Sequence, residues 1–216
     1  DIRTPMNAII GMTTIAEGHL DDEERVEDCL NKITVSSKHL LSLINEVLDM
    51  SKIESGKIDL AEEEFNISDL IQNLLTMIRP NTQAKNHKLE LKTAKVEHED
   101  VIGDVMRLQQ VFMNILGNAV KYAPGGEIHI YVSEENPGEL VVEDNGIGIR
   151  SEDIPRIFDW GYTGRNGRRE TRSTGIGLYL CRQAMDMLGH SLRVESTEGE
   201  GTKVYLGISR KWFEVE

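Results

Sequence analysis

Hydrophobic residues in positions 1–56 follow the alternating three- and four-residue spacing of a coiled-coil seam. The spacing occurs in two stretches, which are separated by a polar, acidic turn at 19–24. The seam positions are Ile2, Met6, Ile9, Thr13, Ala16 and Leu20, followed by Val26, Leu30, Ile33, Leu40, Ile44 and Val47. We therefore predict an antiparallel hairpin of two helices. Because one hairpin cannot bury so long a stripe, we expect a second copy to complete a four-helix bundle.

From residue 57 to the end, the pattern alternates between helices and short strands. A helix is predicted to begin near Ile67 and to end before Pro80, and a second helix is capped by Asp104. A third helix runs over 176–188 and stops at Gly189. Strands are predicted at 89–91, 128–132, 140–142, 192–194 and 203–206. This order of elements predicts a two-layer α+β domain of about 150 residues.

Composition narrows the classes of protein to which the chain can belong. It carries 37 acidic and 24 basic residues, a net charge of −13. Such acidity argues against a nucleic-acid partner, because nucleic-acid binding needs a basic surface. No run of about 18 apolar residues is present, so no membrane contact is expected in this fragment. The two cysteines, Cys29 and Cys181, lie far apart without metal-binding spacing, which fits a reducing compartment.

Two asparagines lie four residues apart in the second helix of the α+β domain. This spacing puts Asn114 and Asn118 on one helix face. Asparagine is not favoured inside helices, so the pair invites a functional reason. An amide oxygen is a neutral, hard ligand that suits a Mg²⁺ ion carrying phosphate oxygens. The alternative is a solvated helix face with two asparagines by chance.

A glycine-containing loop directly follows a predicted strand at 144–149. Its glycines allow a ligand to approach the backbone closely, and the carboxylate of Asp144 can accept a hydrogen bond from an exocyclic amine. A plain turn is the alternative for this loop.

A second glycine-containing segment, 173–178, opens the third helix. A helix N-terminus presents free N–H groups and a positive dipole end, which together favour a phosphate. A helix capped by Thr174 is the alternative. Before this segment, the stretch 161–175 contains four arginines and one glutamate in an otherwise acidic chain. It is either a segment that closes over a polyphosphate or an unstructured basic loop.

In their order and spacing, these clusters resemble the catalytic domain of sensor histidine kinases. That domain belongs to the GHKL ATPase superfamily, with type II topoisomerases, MutL and the ninety-kilodalton heat-shock chaperones. The matching motifs are the N box at 114–122, the first glycine box at 144–148, the start of the F box at 157–158, the second glycine box at 175–178 and the closing G-x-G-T at 199–202. In the hairpin, 1–5 resembles the stretch after the phosphoacceptor histidine, and 48–54 resembles the usual end of the second helix.

The resemblance implies a dimerisation and phosphotransfer hairpin at 1–56 and a catalytic ATP-binding domain at 57–216, with a lid at about 150–174. Asp144 would bind the adenine amine with support from Thr202. Asn118 together with Asn114 would hold Mg²⁺, and Lys121, a lid arginine and backbone amides would neutralise the phosphates. The implied ATP-binding residues are Asn114, Asn118, Lys121, Tyr122, Asp144, Gly146, Gly148, Ile149, Arg165, Arg168, Thr174, Gly175, Ile176, Gly177, Leu178 and Thr202.

The implied activity is that of an autophosphorylating protein-histidine kinase in a two-component system. Its phosphoacceptor histidine is expected immediately before Asp1, so the chain is expected to be truncated there. Asp1 would orient or deprotonate that imidazole, Thr4 would position water for phosphatase activity, and Asn114 is included among the catalytic residues. The implied partners are a second copy through 1–56 and the receiver domain of a response regulator. The implied location is the cytoplasmic portion of a membrane-bound bacterial sensor.

Other functions remain open on the sequence alone. The same fold can act as a nucleotide-binding or scaffolding module without transfer. Another superfamily ATPase fits less well because of the hairpin, and a helical adaptor would not need the glycine boxes. A chimera of two kinases is also considered, because 159–168 lacks the common Pro-Phe form of the F box. That stretch looks more like kinases that sense antibiotics, whereas the first half looks more like hybrid sensor kinases.

Overall fold

The computed structural model describes residues 2–54, 60–92, 100–136, 139–164 and 174–208. The chain divides into two compact units, Asp1–Ile58 and Asp59–Glu216. The boundary predicted between 56 and 57 falls on residues outside the described ranges.

The first unit is a hairpin of helix α1 (Arg3–Glu17) and helix α2 (Glu23–Glu54). Helix α2 begins after Asp22, whose Oδ1 accepts a hydrogen bond from the backbone N–H of Arg25 at 3.1 Å. This contact satisfies one of the unpaired N–H groups at the helix start. Glu23 and Glu24 in the first turn also complement the positive end of the helix dipole. The predicted pair of helices is confirmed.

The contact between the two helices uses only part of the predicted seam. Among the described residues of this unit, Pro5, Cys29 and Leu43 are buried. Six predicted seam residues are 39 to 75% exposed instead: Ile2, Met6, Leu20, Leu30, Ile44 and Val47. This exposure agrees with the expectation that one hairpin cannot bury the whole stripe, because two helices cover only the side of each that faces the other. A single hairpin therefore leaves an apolar stripe exposed.

The second unit is built on a five-stranded sheet. Its strands are β2 (Lys88–Lys92), β4 (Glu127–Val132), β5 (Glu139–Asp144), β6 (Ser191–Thr197) and β7 (Gly201–Gly207). The spatial order is β2-β4-β5-β7-β6, with β2 parallel to β4 and the other pairs antiparallel. Strands β1 (Glu63–Asn66) and β3 (Asp100–Gly103) form a separate antiparallel pair.

Three helices share one core with the five-stranded sheet. They are α3 (Ile67–Ala84), α4 (Val105–Tyr122) and α5 (Gly177–Met187), and a short 3₁₀ helix covers Ile154–Arg156. The core residues of the helices include Leu74, Phe112 and Met185, and alternate residues of the strands meet them. This arrangement is the predicted two-layer α+β fold.

The other face of the sheet is polar and carries hydrogen bonds and ion pairs across strands. The Tyr131 hydroxyl donates to Glu143 at 2.8 Å, and Lys203 pairs with the same carboxylate at 3.2 Å. Arg193 pairs with Glu139 at 3.0 Å. Since this face is polar, the helices cover the sheet on one side only.

Helix α3 continues past Pro80, so the prediction that it ends before this residue is wrong. Proline lacks the N–H that would bond to the carbonyl four residues earlier, which is costly inside a helix. Here the last turn is held by packing, because Ile78 and Thr82 are each 2% exposed. The Thr82 hydroxyl also donates to the Arg79 carbonyl at 2.8 Å. Burial of the turn therefore offsets the missing hydrogen bond.

Strands β1 and β3 were not predicted because each has four residues without a clear alternation. Asn66 connects this pair to helix α3. Its Oδ1 accepts hydrogen bonds from the backbone N–H groups of Ser68 and Asp69, at 3.0 and 3.1 Å. Its Nδ2 donates to Asp100 Oδ1 at 3.0 Å across the two strands. One side chain thus caps the helix and holds the strand pair.

Pro80→Ala is expected to raise the free energy of unfolding by about 1–3 kcal/mol, because it restores a helix hydrogen bond at an exposed position. Urea denaturation of the two proteins measures the difference. Asn81→Ala is the matched control, since it changes only the helix propensity of an exposed neighbour. An unchanged or lower stability of Pro80→Ala would contradict this account of the last turn.

Candidate functional site

Helix α4 carries the two predicted asparagines and places Asn114 beside the start of α5. The helix is capped by Asp104, which accepts from the Arg107 N–H at 2.9 Å. Asn114 and Asn118 are half-buried on the side of α4 away from its fully buried residues. A Cβ added at Gly177 would lie 3.5 Å from Asn114 Oδ1. The absence of a side chain at the first residue of α5 therefore leaves room beside this amide.

Asn114 also contacts Cys181, the cysteine buried between α4 and α5. Burial raises the pKa of the Cys181 thiol to about 12, and a hydrogen bond with the Asn114 side chain opposes that shift. The thiol therefore stays protonated at neutral pH, and it donates to the Val111 carbonyl at 3.7 Å. The hydrogen bond between Asn114 and Cys181 helps to fix the Asn114 side chain.

Asp144 ends strand β5 as a buried carboxylate, with 9% of its surface exposed. Burial raises the pKa of Asp144 to about 6, and the backbone N–H groups of Gly146 and Thr202 oppose the shift by hydrogen-bonding to the carboxylate. The Gly146 N–H donates to Asp144 Oδ1 at 2.9 Å. The group is therefore ionised at neutral pH and holds its charge in a partly desolvated place.

The loop after Asp144 is tied to the end of helix α4. The Ile147 N–H donates to the Tyr122 carbonyl at 3.0 Å, and the Glu127 N–H donates to Asn145 Oδ1 at 2.7 Å. Gly148 has a φ of +64°, and a Cβ there would lie 2.7 Å from the carbonyl carbon of Thr197. Only glycine fits this position. These contacts bring the first glycine box and the end of the N-box helix together.

The second glycine segment meets the backbone of the preceding loop. Gly175 has a φ of +71°, and a Cβ there would lie 2.6 Å from the carbonyl carbon of Gly161. The Thr174 hydroxyl accepts from the Ile176 N–H at 3.2 Å, in a short turn of its own. Ile176 occupies the N-cap position of α5, and no side chain caps the helix there. The alternative in which Thr174 caps this helix is therefore wrong.

Aromatic contacts attach the stretch before the basic loop to helix α5. The Arg182 guanidinium lies 4.4 Å from the centre of the Phe158 ring. The Trp160 and Tyr179 rings pack edge to face, with their centres 5.4 Å apart. The Tyr162 hydroxyl donates to Asp153. The start of the predicted lid is therefore packed against the helix whose N-terminus belongs to the candidate site.

The remaining predicted site residues lie in several places. Lys121 Nζ is 5.3 Å from the Tyr122 ring centre at the end of α4. Thr202 is paired with Asp144 across β5 and β7. Thr4 is exposed on α1, in the first unit. Outside the described residues lie Asp1, Arg165 and Arg168.

Around Asp144, sequence reasoning missed one polar residue. The Ser196 hydroxyl donates to the Gly201 carbonyl at 2.7 Å, accepts from the Ile149 N–H at 2.8 Å, and lies 3.0 Å from Thr202 Oγ1. The alternation of β6 carries the signal for it, since Leu192 and Val194 are core residues and Ser196 is the next position on the same face.

Two family models cover most of the chain. The "His Kinase A (phospho-acceptor) domain" matches 1–56, and the "Histidine kinase-, DNA gyrase B-, and HSP90-like ATPase" matches 103–211. This chain belongs to the histidine kinase family. The second unit of this histidine kinase is therefore a nucleotide-binding domain of the ATPase type, and the predicted fold and family are confirmed.

Relatives and solved structures agree with the family. The Sensor protein GacS of Pseudomonas syringae pv. syringae is 34% identical over 215 residues, which cover 96% of this chain and 24% of that protein. The structure of histidine kinase ThkA in complex with response regulator protein TrrA has a TM-score of 0.71 at 26% identity, covering 99% of this chain and 59% of that one. Full-length ShkA in complex with AMPPNP has a TM-score of 0.71 at 22% identity, covering 96% and 44%. The chain spans about a quarter of the length of the curated relatives it matches.

Within the described ranges, no three His, Cys, Asp or Glu side chains cluster as a metal site. None of the described helices is both long and apolar enough to cross a membrane.

Asp144→Asn is expected to raise the free energy of unfolding of this domain at pH 7 by about 1–3 kcal/mol, because burying the carboxylate is costly. The pKa of Asp144 is higher in the folded state, so the folded protein binds this proton more tightly. The loss of stability caused by burying the ionised carboxylate is therefore absent below about pH 4, and it grows as the pH rises through about 6.

Urea denaturation at pH 4 and pH 7 measures this difference, with Asp186→Asn at an exposed carboxylate of α5 as the control. If Asp144→Asn raises the free energy of unfolding equally at both pH values, or does not raise it at pH 7, burial does not destabilise the ionised carboxylate.

Proposed function

We propose that this chain is the catalytic core of a protein-histidine kinase, which binds ATP with Mg²⁺ and transfers the γ-phosphoryl group to a histidine. The observation that carries the proposal is the buried, ionised carboxylate of Asp144, tied by its loop to the end of the helix that bears Asn114 and Asn118. A buried charge that costs stability is typical of a binding site. The family match to an ATPase model over the same residues supports ATP as the ligand.

The adenine base would be held by Asp144. An ionised carboxylate accepts a hydrogen bond from the exocyclic amine, and burial strengthens that bond because little water competes. Thr202 is paired with Asp144 on the neighbouring strand and would support the same group. Gly146 keeps the loop backbone close to the end of α4, and Gly148 keeps it close to Thr197 at the end of β6.

The phosphates would lie between the polar face of α4 and the start of α5. Asn118 and Asn114 offer the amide oxygens that suit Mg²⁺. When bound, the ion would supply positive charge that neutralises the phosphates. Lys121, an arginine of the lid (Arg165 or Arg168) and the N–H groups of 175–177 would neutralise the rest. AMPPNP, an ATP analogue, is named with the ShkA structure, which agrees with this assignment.

The transfer step needs an imidazole, which the resemblance places immediately before Asp1. Its nitrogen forms a bond to the γ-phosphorus while the bond from that phosphorus to the β–γ bridging oxygen breaks, and ADP leaves. Asp1 would orient or deprotonate the imidazole, and Thr4 would position water for hydrolysis of the phosphoryl group on the regulator. Asn114 acts through the metal and the phosphates. Catalysis of this kind relies on position and charge.

The helical unit would provide the partners. Its exposed apolar stripe is too long for one hairpin to bury, and pairing with a second copy through 1–56 would cover it. The ThkA structure contains a response regulator, so a receiver domain is the proposed acceptor of the phosphoryl group. Because the relatives are sensor proteins, we place this core in the cytoplasmic portion of a membrane-bound bacterial sensor.

The proposal predicts that the chain binds ATP in the presence of Mg²⁺ and that Asp144→Asn weakens binding at least about 100-fold, because the acceptor of the adenine amine becomes partly a donor. Affinity of the unchanged chain should fall as the pH drops through about 6, where Asp144 becomes protonated. Titration calorimetry at pH 5 and pH 7.5 measures both effects.

Asp186→Asn is the control for the binding experiment, since it removes an exposed carboxylate of similar charge. Equal ATP affinity in Asp144→Asn and Asp186→Asn would refute the assignment of the adenine site. Binding that does not depend on Mg²⁺ would refute the role of Asn114 and Asn118.

The proposal also predicts that a longer gene segment, encoding His immediately before Asp1, yields a protein that takes up an acid-labile label from γ-labelled ATP. Replacing that His by Gln should remove the label without changing ATP affinity. Labelled protein incubated with a receiver domain should lose its label to an Asp of that domain. ATP binding without any acid-labile label would instead support a nucleotide-binding or scaffolding module.

A further inference from the structure

The inner face of the sheet carries a row of three polar side chains next to the core. Asp144 lies opposite Thr202 across β5 and β7, and Thr202 lies opposite Ser196 across β7 and β6. Residues directly opposite each other in antiparallel strands point to the same face. Ser196 therefore lies two strands from Asp144, with Thr202 between them.

The hydrogen bonds of Ser196 determine which of the two hydroxyls donates in its contact with Thr202. A hydroxyl has one proton to donate and two lone pairs to accept with. Ser196 donates its proton to the Gly201 carbonyl at 2.7 Å, because a carbonyl oxygen can only accept. Ser196 Oγ accepts from the Ile149 N–H at 2.8 Å. Its remaining lone pair lies 3.0 Å from Thr202 Oγ1, so Thr202 must donate in that contact.

The same reasoning sets what Thr202 can offer to a ligand. Its only hydroxyl proton goes to Ser196, so its free lone pairs can accept and its hydroxyl cannot donate elsewhere. Asp144 next to it is ionised at neutral pH and also only accepts. Two neighbouring acceptors match an amino group, which has two N–H donors, and oppose a carbonyl oxygen.

We infer that Ser196 is a specificity-determining residue of the nucleotide site, which selects a 6-amino purine over a 6-oxo purine by fixing Thr202 as an acceptor. The inference rests on the proposed binding of ATP and adds the reason for its base preference. Ser196 is a positioning residue, because it acts on the base through Thr202. Its contact with Ile149 also joins this row to the end of the first glycine box.

The experiment compares the affinities for ATP and for inosine triphosphate, each with Mg²⁺, by titration calorimetry. Inosine triphosphate differs from ATP in carrying a carbonyl at position 6 of the purine and a proton on the neighbouring N1, so the ratio of the two affinities reports on this edge of the base. Ser196→Ala should lower the preference for ATP about tenfold, because the freed Thr202 hydroxyl can then donate to the carbonyl. Ser196→Thr keeps the hydroxyl and should keep most of the preference.

Two further variants separate base recognition from folding. Ser191→Ala removes a hydroxyl from the other end of the same strand and should leave the ratio unchanged. Thr202→Val removes the acceptor itself, so it should lower the ratio, and adding Ser196→Ala to it should cause no further change. The four proteins form a double-mutant cycle for the two hydroxyls. If Ser196→Ala alone is unstable, the ratios of Thr202→Val and Ser196→Thr still test whether the Thr202 acceptor sets the preference.

The outcomes distinguish this inference from the proposed function. If the unchanged chain binds neither nucleotide, the proposed function fails. If it prefers ATP but Ser196→Ala weakens both nucleotides equally, Ser196 only supports the fold and the inference is overturned. An additive effect of Ser196→Ala in the Thr202→Val background would overturn it as well, since Ser196 would then act by another route.

Discussion

The packing of helix α4 against the sheet is the interaction on which the rest of the second unit depends. The seven buried residues of α4 fix both the position of the helix and its rotation about its own axis. The opposite face of the helix is therefore fixed in orientation. Asn114 on this face lies beside the start of α5, and the Tyr122 carbonyl at the helix end accepts a hydrogen bond from the Ile147 N–H. The polar site is therefore a consequence of an apolar contact.

The same packing explains why the site contains an unfavourable charge. Asp144 ends a central strand, so the sheet and the loop tied to Tyr122 surround it and its pKa rises to about 6. The backbone N–H groups of Gly146 and Thr202 donate hydrogen bonds to the carboxylate and so replace part of its lost hydration. What remains is a carboxylate that a ligand amine can satisfy. This carboxylate, the proposed binding group for the base, therefore lowers the stability of the domain that holds it.

Much of this arrangement can be read from the sequence, and the failures have physical causes. The periodicity of α4 and the glycine positions predicted which residues share a face and where the backbone approaches closely. Pro80 wrongly predicts a helix end because the burial of Thr82, which holds the last turn, depends on tertiary contacts that local sequence does not contain. The same holds for β1 and β3, and for Ser196, whose role depends on the register of three strands.

The two units differ in how they are stabilised, and this difference bears on which of them can change shape. The nucleotide unit has a continuous core, whereas the described part of the hairpin buries Pro5, Cys29 and Leu43 and leaves its apolar stripe exposed. Shifting the helices of such a hairpin would expose few fully buried side chains, whereas deforming the α4 packing would expose many. A signal that acts on this protein would therefore shift the helices of the hairpin more readily than it would deform the nucleotide unit.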